Sequence, residues 1–231
     1  MRSETAYHGA MGEEFAAQAT DSTYNAHTDR PAVLGLAGDV AGLEVLDLGC
    51  GGGHYAAELL ARGAASVTGV DGSESLLAVA RERLGPAVAL HHHDLERPLD
   101  FLPEGAFDLA VLALVYHHVE ARDHLLAEVR RVLRPGGTLL VSTSHPTGDW
   151  AHFGGSYFDE DRVSLPFGQG HALTFRRLTL ETFIGELLAA GFLLEALVEP
   201  RAVEAGRRVD PRRHAKSHEK PMFLAVRLRR P

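Results

Sequence analysis

Residues 45–54 read VLDLGCGGGH, an aliphatic run carrying one aspartate and followed by four glycines in five positions. The glycines fit two spacings. Gly51, Gly53 and Ala56 match G-x-G-x-x-[GA], which seats a dinucleotide's pyrophosphate. Gly49, Gly51 and Gly53, preceded by Asp47, match D-x-G-x-G-x-G, which points to a different nucleoside. Either way a strand runs into a tight turn and then into the helix HYAAELLARG (54–63). Gly49 permits the turn, and Gly51 lets backbone approach a ligand with no Cβ in the way. Free N–H groups and the positive dipole end at the helix start favour an anion, pyrophosphate or carboxylate alike. The glycines by themselves leave the choice open.

Outward from this stretch, aliphatic runs at 44–49, 66–71, 87–92, 107–114 and 138–144 alternate with helical segments around 53–62, 74–84 and 121–134. That rhythm predicts βαβ units and a doubly wound parallel sheet. In the last helix Leu125, Val129 and Val132 share a stripe with Leu126 and Leu133, and Pro135-Gly136-Gly137 is expected to stop it. A helix at 179–190 and strands at 192–199 and near 222–229 follow. With no long helix between those strands, they predict an antiparallel pair at the sheet edge. Residues 145–178 break the rhythm and hold six of the sixteen aromatics, so this insertion is expected to cover something.

In an open α/β sheet, ligands bind beyond the carboxyl ends of the strands. Asp71 ends the second strand, where a carboxylate accepts both ribose hydroxyls, in NAD and S-adenosylmethionine sites alike; the alternative is a helix cap near Ser73. Asp94 closes the third strand in HHHDLERPL, placed to accept from an adenine amine with Leu95 against the ring, or else to cap a turn. Asp47 stands before the glycines, well placed for a ligand ammonium and poorly placed beside a pyrophosphate. Amino acid, ribose and adenine are the three parts of S-adenosylmethionine.

Five stretches, VLDLGCGGG, VTGVDGSESLLAVAR, HHDLE, FDLAVLALVYHHV and RRVLRPGGTLLVS, occur in this order. With them the chain resembles the class I S-adenosylmethionine-dependent methyltransferases, especially those acting on small molecules, over about residues 40–200. The resemblance implies an α/β, Rossmann-like, doubly wound and mostly parallel seven-stranded sheet, with an antiparallel C-terminal hairpin and helices on both faces. It implies S-adenosylmethionine as methyl donor and S-adenosylhomocysteine as product. It puts Asp47, Gly49, Gly51, Gly53, Asp71 and Asp94 in the cofactor site, with Ala113 and Leu114 along the methionine portion. Cys50, Gly72 and Leu95, beside them in the chain, belong to the same expected set. One domain is expected over 1–231. Its parts are an N-terminal helical lid (1–42), a cofactor-binding core (43–144), an aromatic substrate cap (145–178), and a C-terminal helix with edge hairpin (179–231).

Methyl transfer from a sulfonium is an in-line displacement, so the protein chiefly aligns the acceptor and excludes water. A base is needed only if the acceptor must lose a proton. His117 and His118, after the fourth strand, are expected to face the methyl-donor mouth, and His145 follows the fifth. His117 and His145 are the candidate bases; His118, Tyr7, Tyr24, Trp150 and Tyr157 are the candidate acceptor contacts. The same histidines would serve equally as helix caps or backbone partners. His91-His92-His93 has no matching ligand at metal-site spacing, so no metal is expected. Cys50 reads as a small packed residue rather than a nucleophile.

A net charge of −8 argues against a surface built to grip nucleic acid. Residues 201–231 nevertheless carry +7, against −15 for the remainder. This basic segment reads as a solvated loop and a charge-protected edge strand. No apolar run approaches the ~20 residues a membrane helix needs, the start has no apolar signal region, and one cysteine excludes an internal disulfide. A cytoplasmic enzyme with a small-molecule acceptor is expected; the oligomeric state is not legible. The first alternative is an RNA or protein methyltransferase using the basic segment. Against it stand the acidic body, the lack of a recognition domain and the lack of an N-P-P-[YF]-like motif after the fourth strand. An NAD-dependent oxidoreductase would need a Y-x-x-x-K pair, but Tyr116 is followed at +4 by Glu120 and Tyr157 by Asp161. A catalytically silent binding protein is the remaining option.

Overall fold

Near-continuous burial along the central strands builds two apolar layers, one on each face of a seven-stranded sheet. The structure is a computed structural model and describes residues 7–168 and 170–231. Two helices come first, α1 (Ala10–Thr20) and α2 (Arg30–Ala37), joined through a π-helical turn at Asn25–Asp29. Then follow β1 (Glu44–Leu48), α3 (His54–Ala61), β2 (Ser66–Asp71), α4 (Glu74–Leu84), β3 (Ala89–His92), β4 (Phe107–Ala113), α5 (Arg122–Val132) and β5 (Leu133–Ser144). Next are α6 (Pro146–Phe153), β6 (Arg162–Phe167), β7 (His171–Arg176) and α7 (Leu180–Ala189). Last come β8 (Leu193–Val198), α8 (Glu204–Val209), α9 (Pro211–Glu219) and β9 (Phe223–Arg229).

The sheet order is β3-β2-β1-β4-β5-β9-β8. The first five strands are parallel, and β9 runs antiparallel to both β5 and β8. Order reverses between β1 and β4, where the connections leave on opposite sides and a crevice opens at the carboxyl ends. Because successive side chains of a strand point to opposite faces, Leu46 and Leu48 join the layer made with α5 and α7, through Leu125, Val129, Phe183 and Leu187. Val45 joins the other layer, with α2 and α3 through Val33, Leu34, Ala56 and Leu59. Asp47 lies on that same side of β1 and is buried.

Three expectations are corrected. Helix α5 ends at Val132, and Leu133 is already extended, so Pro135-Gly136-Gly137 belongs to the start of β5 rather than to a helix stop. Gly136 there donates its N–H to the Arg230 carbonyl, 2.8 Å away. Second, the antiparallel β8–β9 pair is present as expected, but the basic stretch between its strands, expected as a solvated loop, forms two helices, too short and too charged to leave a periodic apolar signature. The Asp210 side chain caps α9 by accepting from the Arg212 and Arg213 N–H groups. Third, the basic segment is no loop with an edge strand: β9 is interior and β8 forms the edge. Insertion 145–178 contains α6 and the separate hairpin β6–β7. Among the described residues no helix is long and apolar enough to cross a membrane.

Arg122, buried at the start of α5, makes two 2.8 Å hydrogen bonds to the Glu186 carboxylate on α7, which also accepts from Tyr116 Oη at 2.6 Å. Removing the guanidinium leaves that carboxylate against apolar packing. Because Glu186 is partly solvated, Arg122→Leu is expected to lose about 2 kcal/mol rather than the full value of a buried pair, read from the urea midpoint.

Candidate functional site

A cavity of about 150 Å³ lies where β1, β2, β3 and β4 end. Its floor is the glycine loop. Gly49 and Cys50 donate to the Val70 carbonyl, at 2.7 and 3.0 Å. Gly49 holds φ 70°, and a Cβ there would run into the Val115 side chain. Gly51, at φ 53°, has no atom within 4 Å of where a Cβ would stand, so this backbone faces open space. Its N–H donates to Asp71 Oδ2 and the Ser73 N–H to Oδ1, both at 2.8 Å. Burial raises the Asp71 carboxyl, opposed by those two N–H groups. The cap of α4 is the Ser73 hydroxyl, which accepts from Leu76 N–H. Gly72, Asp94, Leu95, Ala113 and Leu114 also line the cavity. Leu114 is the one non-glycine residue among those described with positive φ (56°), held by its N–H donating to Ser142 O and Oγ. Left-handed leucine is uncommon and concentrates at functional sites.

Behind the loop lies a buried polar cluster. Asp47 is outside the cavity lining and 1% exposed, and its Oδ2 has no hydrogen-bond partner. Burial first, and the Asp71 charge second, push its carboxyl up to about 7. Asp29 lines the cavity; its Oδ2 accepts from Tyr55 Oη at 2.5 Å while Oδ1 has no partner. Burial raises Asp29 to about 6. Arg30, next to it, donates through Nη2 to the Ala19 carbonyl at 2.9 Å and leaves Nε unpartnered. Asp29, Arg30, Tyr55 and His54 all border the cavity and escaped sequence reasoning. The one available signal was an Asp-Arg pair immediately before the apolar helix PAVLGLA.

The opposite wall carries Tyr7, Phe15 and His118. Tyr7 Oη lies 3.0 Å from His118 Nε2, and His118 Nδ1 lies 3.0 Å from the Thr174 carbonyl. The Tyr7 carbonyl accepts from the Ser73 and Ser75 hydroxyls. Tyr7 therefore straps the cavity from α4 to the end of β4. Burial lowers His118 to about 4.

His117, its neighbour, does not reach the cavity. It is buried, with Nδ1 2.9 Å from Thr143 Oγ1 and its ring against Phe175. His145 caps α6 and bonds Glu199 through Nε2 at 3.0 Å. Tyr24 packs on Phe223 and Arg213, the exposed Trp150 donates to Gly155 O, and Tyr157 Oη accepts from Leu180 N–H. None of these residues, nor Gly53, lines the cavity. The 145–178 insertion touches the site one layer out, through Thr174 and through Phe167 against Phe15. His91 and His93 pack on Phe101, and among the described residues no cluster of three His, Cys, Asp or Glu side chains is arranged for a metal ion. The Cys50 thiol borders the cavity, and burial pushes it up.

Comparison with known proteins gives a consistent result. Residues 45–137 match the family model described as a methyltransferase domain. An uncharacterized protein of Haemophilus influenzae is 30% identical over 205 residues, 79% of this chain and 80% of its own length. The ubiquinone biosynthesis O-methyltransferase of Pseudomonas aeruginosa is 37% identical over 107 residues, 45% of each chain. The tRNA U34 carboxymethyltransferase of Methylococcus capsulatus is 36% identical over 119 residues, 47% of this chain and 34% of its own. Both named relatives are thus matched over less than half their length, and their names differ in acceptor. Among solved structures, an S-adenosylmethionine-dependent methyltransferase from Mesorhizobium loti is 26% identical with a TM-score of 0.72, covering 92% of this chain and all of that one.

Proposed function

The chain belongs to the S-adenosylmethionine-dependent methyltransferases, and from that premise we propose that its acceptor is a small molecule held inside the cavity above the glycine loop. The observation that carries this reading is the Tyr7 strap, which spans the cavity between Ser73 and His118 and leaves it partly enclosed. None of the residues of α8 and α9, where the basic charge is concentrated, borders the cavity. Residues 7–42 then act as the lid, through Tyr7, Phe15 and Ala19, while 145–178 buttress it from outside; residues 1–6 of the expected lid lie outside the described residues.

The residues present fit the methyl donor. Asp71 would accept from the ribose hydroxyls, and Asp94 with Leu95 would hold the adenine. The unpartnered Asp29 Oδ1 and Arg30 Nε, on residues that border the cavity, would meet an amino-acid ammonium and carboxylate, with the buried Asp47 behind them adding negative charge. Bound there, the donor supplies a methyl group already activated for in-line displacement. What remains for the protein is to orient the acceptor and keep water out.

A cationic ammonium prefers these carboxylates ionised, and Asp29 and Asp47 are held up to about 6 and about 7. S-adenosylhomocysteine affinity is therefore expected to rise about tenfold between pH 5.5 and 8, with proton release on binding seen by calorimetry in buffers of different ionisation enthalpy. The sign for the empty protein is opposite. Between pH ~4 and ~7 the folded state binds more protons than the unfolded, so its stability falls as pH rises. Tight NAD binding without a response to S-adenosylhomocysteine would sink the reading of the site. Turnover on bulk RNA exceeding that on a panel of phenols and amines would instead favour the basic segment.

A further inference from the structure

Two adjacent histidines follow β4, and only one of them faces the cavity. The environment of His118 fixes its tautomer. The Thr174 carbonyl can only accept, so Nδ1 carries the hydrogen. In a neutral ring this leaves the Nε2 lone pair turned towards the cavity, where the Tyr7 hydroxyl donates to it at 3.0 Å. A phenol is thus already seated on the imidazole, inside the space proposed for the acceptor.

We propose that His118 Nε2 removes the acceptor's proton, and that the acceptor is a phenol-type hydroxyl that takes the place of the Tyr7 hydroxyl, the Tyr7 ring swinging aside while its carbonyl stays on Ser73 and Ser75. This rests on the small-molecule reading above. The acceptor oxygen's electron pair forms the new bond to the methyl carbon, the carbon–sulfur pair stays on sulfur, and the O–H proton passes to Nε2. The resulting imidazolium keeps its Nδ1–H bond to Thr174, which stabilises the charge. Burial, with the charge of Arg162, keeps the ring neutral before the acceptor arrives, as a proton acceptor must be. A phenol suits this arrangement because its ordinary pKa, about 10, is low enough for a hydrogen-bonded imidazole to assist.

The other histidines near the site are less suited. His117 is engaged with Thr143 outside the cavity, and His145 Nε2 is held by Glu199. His54 borders the cavity, but its Nε2 is already engaged by Thr20 Oγ1 at 3.1 Å.

Two measurements test the assignment. Long-range proton–nitrogen NMR of the S-adenosylhomocysteine complex is expected to show His118 protonated at Nδ1 and bare at Nε2 from pH 6 to 8. An Nε2–H tautomer or an imidazolium would overturn the proposal whatever the acceptor. Turnover is then measured on phenols of graded acidity. His118→Gln is expected to lose about 100-fold on phenols undissociated at the assay pH, but less than about fivefold on one already ionised. Its S-adenosylhomocysteine Kd should stay within about twofold. Equal losses on both kinds of phenol would make His118 a positioning residue and overturn the base assignment. Turnover of amines alone overturns the phenol assignment while sparing the small-molecule reading; turnover of RNA alone overturns both.

Discussion

Asp71→Ala is expected to weaken S-adenosylhomocysteine binding by about 100-fold, measured by calorimetry on a variant whose far-ultraviolet spectrum is unchanged. Three losses coincide at that carboxylate. The Gly51 and Ser73 N–H groups, each 2.8 Å from one of its oxygens, lose their acceptor. Leaving a buried donor unsatisfied costs about 1–3 kcal/mol. These two groups hold the glycine loop to the start of α4, so the floor of the cavity loosens where the ribose would rest. The ribose hydroxyls lose their partner as well. Asp71→Asn retains one acceptor oxygen but offers an amide N–H to a backbone donor, so it should fall between the wild type and alanine. Unchanged affinity in Asp71→Ala would place the ribose carboxylate elsewhere.

Gly49→Ala should be comparably severe and act through the fold. Its φ of 70° is strained for any side chain, and the added Cβ collides with Val115. The backbone contributes about 1–2 kcal/mol and the overpacking about 1–3 kcal/mol. A loss of roughly 2–5 kcal/mol in the urea midpoint is expected, together with loss of cofactor binding. The two contributions separate experimentally. Gly49→Ala with Val115→Ala removes the collision but not the φ penalty, so it should recover about half of the loss. Full recovery would mean the left-handed turn carries no cost, and no recovery would mean Val115 is not the obstacle.

The half of the cavity built from the glycine loop and the strand ends was legible because its signals are local. A glycine turn and carboxylates at strand ends occupy positions that the strand–turn–helix rhythm fixes, and the seven strands of the main sheet fall within two residues of expectation except at the start of β5; the β6–β7 hairpin was not expected. The far wall depends on tertiary contacts that spacing does not encode. Asp29 meets Tyr55 only because α2 packs beside α3. His117 and His118 are neighbours in one 3-10 turn, Tyr116–His118, which sends one ring towards Thr143 and the next towards Tyr7. No periodicity distinguishes them. Aromatic content likewise shows that the 145–178 insertion packs against something, but not which way Trp150 or Tyr157 points. The helices α8 and α9 were invisible for another reason: they bury little apolar surface and are held by a cap, charge pairs and hydrogen bonds such as Thr23 to the Gly206 carbonyl and Ala202 N–H to Ser217 Oγ.

The position of β9 has a bearing on how the chain is made. Strand β8 has β9 as its sole neighbour in the sheet, and β9 also covers the outer edge of β5. Strand β8 therefore has no partner until the chain through β9 is free to pair. In that interval two strand edges lie open, one of them bearing Leu193, Leu194 and Leu197, which stay exposed even in the finished fold. Open apolar edges recruit other chains. Free polypeptide ending between residues 198 and 223 should therefore be the species that chaperones hold and that aggregates when they are absent.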